Sequence, residues 1–482
     1  MSLSGALSNA LSGLTANARA AGLVSANIAN ASTESYGRRT LGLSSNGAGT
    51  TGGVRIDGVI RHVDAAILSD RRQSDAALAN GDSLHAFVSR IETAVGDSEA
   101  PGSLANRVLA FENAMIAAAA NPAATQRLES VAYSANALAD TLRDLSGTVQ
   151  QARTDADRSI AAQVTRLNDT LVRIGDVNTD IVAAQAGNGD TASLLDERQR
   201  LIDSIAEIVP VRIIQRDRGA IALYTTGGGV LLDGKPSVLE FSPTAAVSPH
   251  MILSGGPLSG LTLNGNPVTA PPAGMFGGGD LAAQFEIRDI AATGYQAQLD
   301  GIARDLVERL GPGGPDATLG ATDPGLFTDL GGAFDPLNET GLAGRITLNA
   351  LVAPGGGGSW RLRDGLNAAG LGDVGDGRLL QGIADALTAS GLPASPALSP
   401  VSRSFADRAA DFTAAVTGDR VRAESAKVYL TTRNTALSEL ELSTGVDTDQ
   451  ELQILMRIEQ QYAANAEVMS TVDELLMRLL NI

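Results

Sequence analysis

Cysteine is absent from the 482 residues, so disulfides and thiol chemistry are excluded. Aromatic residues are scarce, at 3% with a single Trp, and the apolar share of 44% is carried mainly by Ala, Leu, Val and Ile. Such cores suit long helices packed side by side, not a pocket lined with aromatic rings. Positive charge is in deficit: 36 Lys and Arg against 54 Asp and Glu leave a formal net charge of −18. That balance argues against nucleic acid or an anionic membrane as a partner. No run approaches the ~18–20 apolar residues of a membrane span, so membrane insertion is not expected. Met1 to Asn30 lacks the basic start, compact apolar run and small-residue cleavage site of a secretory signal.

Histidine is also rare, and His62, His85 and His250 are the whole set. None stands four residues from another, no metal-ligand spacing exists, and His62 and His85 read as ordinary helix residues. Gly227-Gly228-Gly229 and Gly355 to Gly358 lack the Lys-Ser/Thr of a phosphate loop and read as turns. Asp196, Glu197 and Arg198 are adjacent, point in different directions on a helix, and read as a solvated charged face. No catalytic residue, cofactor or metal site follows, and the chain reads as non-enzymatic.

What is present is heptad patterning at both ends. Leu3, Leu7, Ala10, Leu14, Asn17, Ala21, Val24 and Ile28 alternate spacings of four and three. Leu455, Ile458, Tyr462, Asn465, Met469, Val472, Leu476 and Leu479 repeat the pattern, behind a capping signal of Asp447 and Gln450. The two seams predict an antiparallel coiled coil between the ends. A straight register with Leu3 near Leu479 would bring Asn17 close to Asn465. Gly5, Gly13 and Gly22 each cost roughly 0.8–1 kcal/mol in a helix interior, so both ends are expected to order only on assembly.

Between the ends, His62 to Val95, Ser103 to Ala120, Ala123 to Gln185 and Ser193 to Ile208 read as helices, with Asn121-Pro122 as a break. Val211 to Ile214, Ile221 to Thr225, Val230 to Leu232, Val238 to Phe241 and Leu261 to Leu263 read as strands, with hairpin signals at Asp233-Gly234 and Asn264-Gly265. Helix returns over Asp280 to Leu310, near Arg378 to Leu387, and over Ser404 to Leu442; Gly311 to Gly358 reads as loops with a few strands. The predicted fold is mainly α with an inserted, β-rich α+β region. Its expected units are 1–30 with 445–482 as the terminal coiled coil, 31–210 with 401–444 as a long-helix bundle, and 211–400 as an outer mixed domain, in keeping with about three domains at one per ~150 residues.

Several strings carry a family resemblance. Asn27-Ile28-Ala29-Asn30, with Thr33 and Tyr36, resembles the signature shared by flagellar rod, hook and hook-associated proteins, and Gly445 to Glu451 through Leu476 and Leu480-Asn481-Ile482 resembles their C-terminal helix. Leu167-Asn168, Ile181 to Gly189, Leu194-Leu195-Asp196-Glu197-Arg198-Gln199-Arg200-Leu201, Phe285 to Asp289 and Ser404 to Asp407 are similar to segments of hook-associated proteins of the FlgK family. Ser35 departs from the pattern, where a Gly is frequent before the Tyr. Asn27, Asn30 and Thr33 can bond backbone groups where the helix ends.

The resemblance implies a structural protein of the hook–filament junction, needed for filament assembly and motility. It would be exported by the flagellar type III apparatus and be extracellular. The implied partners are further copies of itself, the flagellar hook protein, a second hook-associated junction protein, and a cytoplasmic export chaperone on the C-terminal helix. The terminal seam residues would form the assembly interface. Rival readings are another axial protein (hook, distal rod or flagellin) and an enzyme or adhesin carried on coiled-coil ends.

Overall fold

Polar side chains set where the long helices begin. In the computed structural model, which describes residues 3–33, 35–46, 52–97, 99–187, 189–254 and 256–480, Asp64 Oδ1 accepts from the amides of Ala66 and Ile67 at the start of α2 (Ala65–Val95). Ser103 does the same for α3 (Leu104–Ala120), and Asn121, held extended before Pro122, ends it. The 62-residue α4 (Thr125–Ala186) follows, then α5 (Ala192–Ala206). A capping box of Ser404 and Asp407 opens α11 (Phe405–Ser443). Asp447 Oδ1 accepts from Asp449 and Gln450 ahead of α12 (Thr448–Leu480). The first helix, α1, spans Leu3–Ala29.

The protein is mostly helical with a few small sheets. Strands β3 (Val211–Gln215), β4 (Ile221–Thr225), β5 (Val230–Asp233) and β6 (Lys235–Pro236) form an antiparallel sheet, and β7 (Leu239–Glu240), β8 (Thr262–Leu263) and β9 (Asn266–Pro267) a second. Asn264 and Gly265 both take positive φ, 51° and 78°, as the tight turn between β8 and β9 requires. The expected helix over 280–310 is divided into α6 (Asp280–Glu286) and α7 (Ala292–Arg309) by a π-helical turn at Ile287–Ala291. Short helices α8 (Leu342–Arg345) and α9 (Arg361–Asp364), strands β10 (Phe327–Asp329) and β11 (Ile346–Leu348), and α10 (Arg378–Thr388) complete the chain.

One hairpin departs from the expected order of elements. Strands β1 (Arg38–Ser45) and β2 (Val54–His62) pair antiparallel with a bulge at Gly42/Leu43, and β1 packs against α1. His62 is therefore a strand residue, not a helix residue, with its Nε2 2.8 Å from Thr40 Oγ1 across the hairpin. The sequence conceals this pairing because Gly42 and Gly58 interrupt the alternation that marks a strand.

Two apolar cores lie along α4. The first gathers its N-terminal half, from Leu128 to Ala156, with α3, α7, α10 and the start of α11. The second gathers Ile160 to Ile174 with α5, the β3–β6 sheet and α6. Residues of 211–400 thus contribute to both cores, changing from one to the other between Phe285 and Ile287. A polar layer separates them. Arg288 and Asp157, both 0% exposed, form an ion pair at 2.6 Å. Arg153 donates to the carbonyls of Arg288, Ser248 and Met251, and Asp157 also accepts from the Thr244 amide.

Candidate functional site

Helix α1 runs antiparallel along α12. Two contacts set the register: Asn27 Nδ2 donates to Glu451 Oε2 at 3.0 Å, and a Cβ on Gly13 would lie 2.7 Å from Asn465 Nδ2. This register is one helical turn away from the one that would place Asn17 opposite Asn465. The expected Asn pair does not form: Asn465 sits over Gly13, which has no side chain to exclude it, and Asn17 Nδ2 is buried without a hydrogen-bond partner among the described residues. Val24, Ile458 and Val472 are buried in the seam. Leu3, Leu7, Leu14, Ile28, Leu455, Met469 and Leu476 are half-buried. Tyr462 and Leu479 remain 48% and 59% exposed. Leu452, Met456, Val468, Leu475 and Met477 are exposed on the same helix.

The glycines of α1 differ in their surroundings. Gly22 is exposed, and a Cβ at that position would meet nothing within 4 Å. Gly22→Ala is expected to stabilise α1 by about 0.8–1 kcal/mol through helix propensity alone. Gly13→Ala is expected to forfeit that gain by pressing on Asn465. Hydrogen exchange of the α1 amides in the two variants checks the contrast, and equal protection would contradict it.

At the end of α1, the side chain of Asn27 makes all four of its hydrogen bonds. Nδ2 donates to the Arg39 carbonyl and to Glu451; Oδ1 accepts from the Arg39 amide and from the Tyr36 hydroxyl. Glu451, 1% exposed, also takes Arg38 Nε at 2.7 Å. Asn27 thus bonds backbone groups beyond the helix end, and through Glu451 it also ties α1 and β1 to α12. Asn30 does act locally, donating to the Ala26 carbonyl, and Thr33 Oγ1 lies 3.4 Å from Asn30 Oδ1. Ile28 is half-buried and Ala29 exposed. Ser35 stands at φ 66°, the left-handed region that favours Gly, and its Oγ bonds Asp203 Oδ2 at 2.9 Å. Glu34 of this string, and Asn481-Ile482 at the other end, lie outside the described residues.

The Asp196 segment corrects a second expectation. Asp196 accepts from Arg61, Arg39 and the Gly37 amide, and Gln199 accepts from Arg61. Arg198 is buried, bonded to Asn178 Oδ1 and the Gly219 carbonyl. Only Glu197 of the three faces water, paired with Arg200. The three side chains do point in different directions, but two of them meet the β1–β2 hairpin and α4 instead of solvent.

Four polar rungs join α11 to α2: Arg420–Glu92, Lys427–Asp82, Asn434–Asp75 and Glu441–Arg71, at 2.8, 3.1, 2.6 and 2.5 Å. The α11 residues recur every seventh position, while the buried apolar residues of that helix stop at Val416. Burial pushes the carboxyls of Asp75 and Glu441 up, against the pull of Arg71. Among the described residues no group of His, Cys, Asp or Glu could hold a metal ion. No described helix is long and apolar enough to cross a membrane.

Comparison with known proteins places these features. The model of the flagellar hook-associated protein FlgK helical domain matches residues 88–311. The model of the flagellar basal body rod FlgEFG protein C-terminal region matches residues 442–482. Flagellar hook-associated protein 1 of Salmonella typhimurium is 29% identical over 247 residues, covering 48% of this chain and 43% of that protein. Its Escherichia coli counterpart is 28% identical over 248 residues, covering 48% and 44%. The match spans less than half the length of each relative. The solved flagellar hook junction protein FlgK from Burkholderia pseudomallei aligns with a TM-score of 0.43 and 18% identity, over 54% of this chain and 46% of that one.

Proposed function

We propose, from the premise that the chain belongs to the FlgK family of flagellar hook-associated proteins, that it is a non-enzymatic structural subunit of the hook–filament junction. In this reading α1 and α12 act as an antiparallel coiled coil inserted in the inner wall of a tube. The seam residues from Leu3 to Ile28 and from Leu455 to Leu479 form its assembly interface. The units 31–210 with 401–444, and 211–400, face outward. The subunit joins further copies of itself, the hook protein below and a second junction protein above, after export through the type III apparatus to the cell exterior. A cytoplasmic chaperone shields α12 before export.

One observation carries this reading. Helix α12 leaves Leu452, Met456, Tyr462, Val468, Leu475, Met477 and Leu479 exposed while it packs on α1. An apolar surface of that extent is a liability for a free protein and an asset once repeated contacts cover it. Deleting 447–482 is expected to leave both α4 cores folded while abolishing incorporation and filament growth. Normal filaments on a strain carrying the deletion would overturn the proposal. In the isolated subunit, α1 amides are expected to be less protected than in the assembly, where neighbouring copies cover the exposed face of α12.

A further inference from the structure

A cavity of about 520 Å³ opens between the start of α2, α5 and the edge of the β3–β4 sheet. Four arginines line it, Arg61, Arg72, Arg198 and Arg212, and no acidic side chain does. Two of the four are matched from outside the cavity, Arg61 by Asp196 and Arg72 by Asp203. Arg198 is only 7% exposed, and its bonds, through Nη1, go to a neutral amide and a carbonyl. Arg212 is exposed on β3 and makes no side-chain bond or ion pair among the described residues. Burial, with repulsion from Arg61 and Arg72, pushes the Arg198 guanidinium down to about 10. A chain with a formal charge of −18 thus holds a surplus of cations in one enclosed place. The remaining wall is mainly apolar, with Leu68, Leu195, Ile202, Ile213 and Ile221, beside the neutral polar Ser69, Gln199 and Gln215.

We propose that this cavity binds a carboxylate carried on an apolar stem. The head meets the guanidinium groups of Arg198 and Arg72 with Arg212 at the mouth, and the stem lies on Leu68, Ile202 and Ile213. A guanidinium fork offers a carboxylate two parallel hydrogen bonds, and enclosure strengthens them. A fully hydrated dianion such as sulfate would gain nothing from the apolar walls. The carboxylate comes either from a free aliphatic acid or from an acidic side chain of a second copy.

Calorimetric titration of the full chain with hexanoate, hexanamide and sulfate tests the site. Hexanoate is expected to bind about ten-fold more tightly than the other two. Arg198→Met is expected to weaken it by about ten-fold. Because Arg198 also holds Asn178 and Gly219, Arg212→Ser serves as a second variant that disturbs no bond, with about three-fold weakening expected. Equal binding of hexanamide or sulfate, no hexanoate binding, or unchanged affinity in both variants overturns the proposal. Sedimentation velocity separates the two sources. Hexanoate dissolves a concentration-dependent oligomer if the natural carboxylate belongs to another copy, and leaves sedimentation unchanged if it is free.

Discussion

Asn27→Asp is expected to release α1 and β1 from α12, at a cost on the order of 3–5 kcal/mol. The substitution keeps the shape of the side chain and both acceptor bonds, from Tyr36 and the Arg39 amide. It replaces the donor group, which serves the Arg39 carbonyl at 2.8 Å and Glu451 at 3.0 Å, with a second carboxylate oxygen. The new carboxylate then faces the Glu451 carboxylate, both of them charged, and Arg38 alone remains to offset them. Adding Glu451→Gln restores a donor at that position and is expected to recover most of the loss. Hydrogen exchange of α1 and β1 amides in the single and double variants measures the effect. A neutral Asn27→Asp, or a double variant no better than the single, would remove Asn27 from its role as the tie.

That role shows where sequence reading stops. The asparagine's place at the end of a helix is plain from Asn27-Ile28-Ala29-Asn30, and Asn30 behaves as its position suggests. Nothing local distinguishes Asn27, whose partner Glu451 is 424 positions away. The helices themselves are legible because their signals are local: Asp64, Ser103 and Ser404 cap them, and Pro122 breaks one. The register of α1 on α12 is not. Heptad spacing fixes which face meets a partner but leaves a shift by one turn open, and the absent side chain of Gly13 under Asn465 decides that shift. Likewise the Asp196 segment announces a charged face, while the arginines that bury it come from a hairpin whose glycines conceal it.

The same limit governs α4, whose apolar period continues unbroken from Leu128 to Ile174 although it serves two cores. The join is made by Asp157 and Arg288, brought together by the π-helical turn. Burial works against the charge on Arg288, yet Asp289 and Asp157 raise its pKa overall, so the guanidinium stays charged. It also donates to the Ser259 carbonyl and lies over the rings of Phe285 and Phe241, at 4.9 and 5.5 Å. Arg288→Met is expected to cost about 3–5 kcal/mol, since it strands the Asp157 carboxylate with only the Thr244 amide for a partner. The Arg153 bond to the backbone of residue 288 survives the change, which confines the effect to the side chain. Asp157→Asn keeps an oxygen for Thr244 and removes the charge. The double variant leaves no charge unpaired at position 157, with only Asp289, which is partly exposed, still deprived of Arg288, so it is expected to be more stable than Arg288→Met alone. Urea unfolding of the four chains gives the coupling energy directly. Additive losses would mean that the two residues act separately and that the polar layer does not couple the cores.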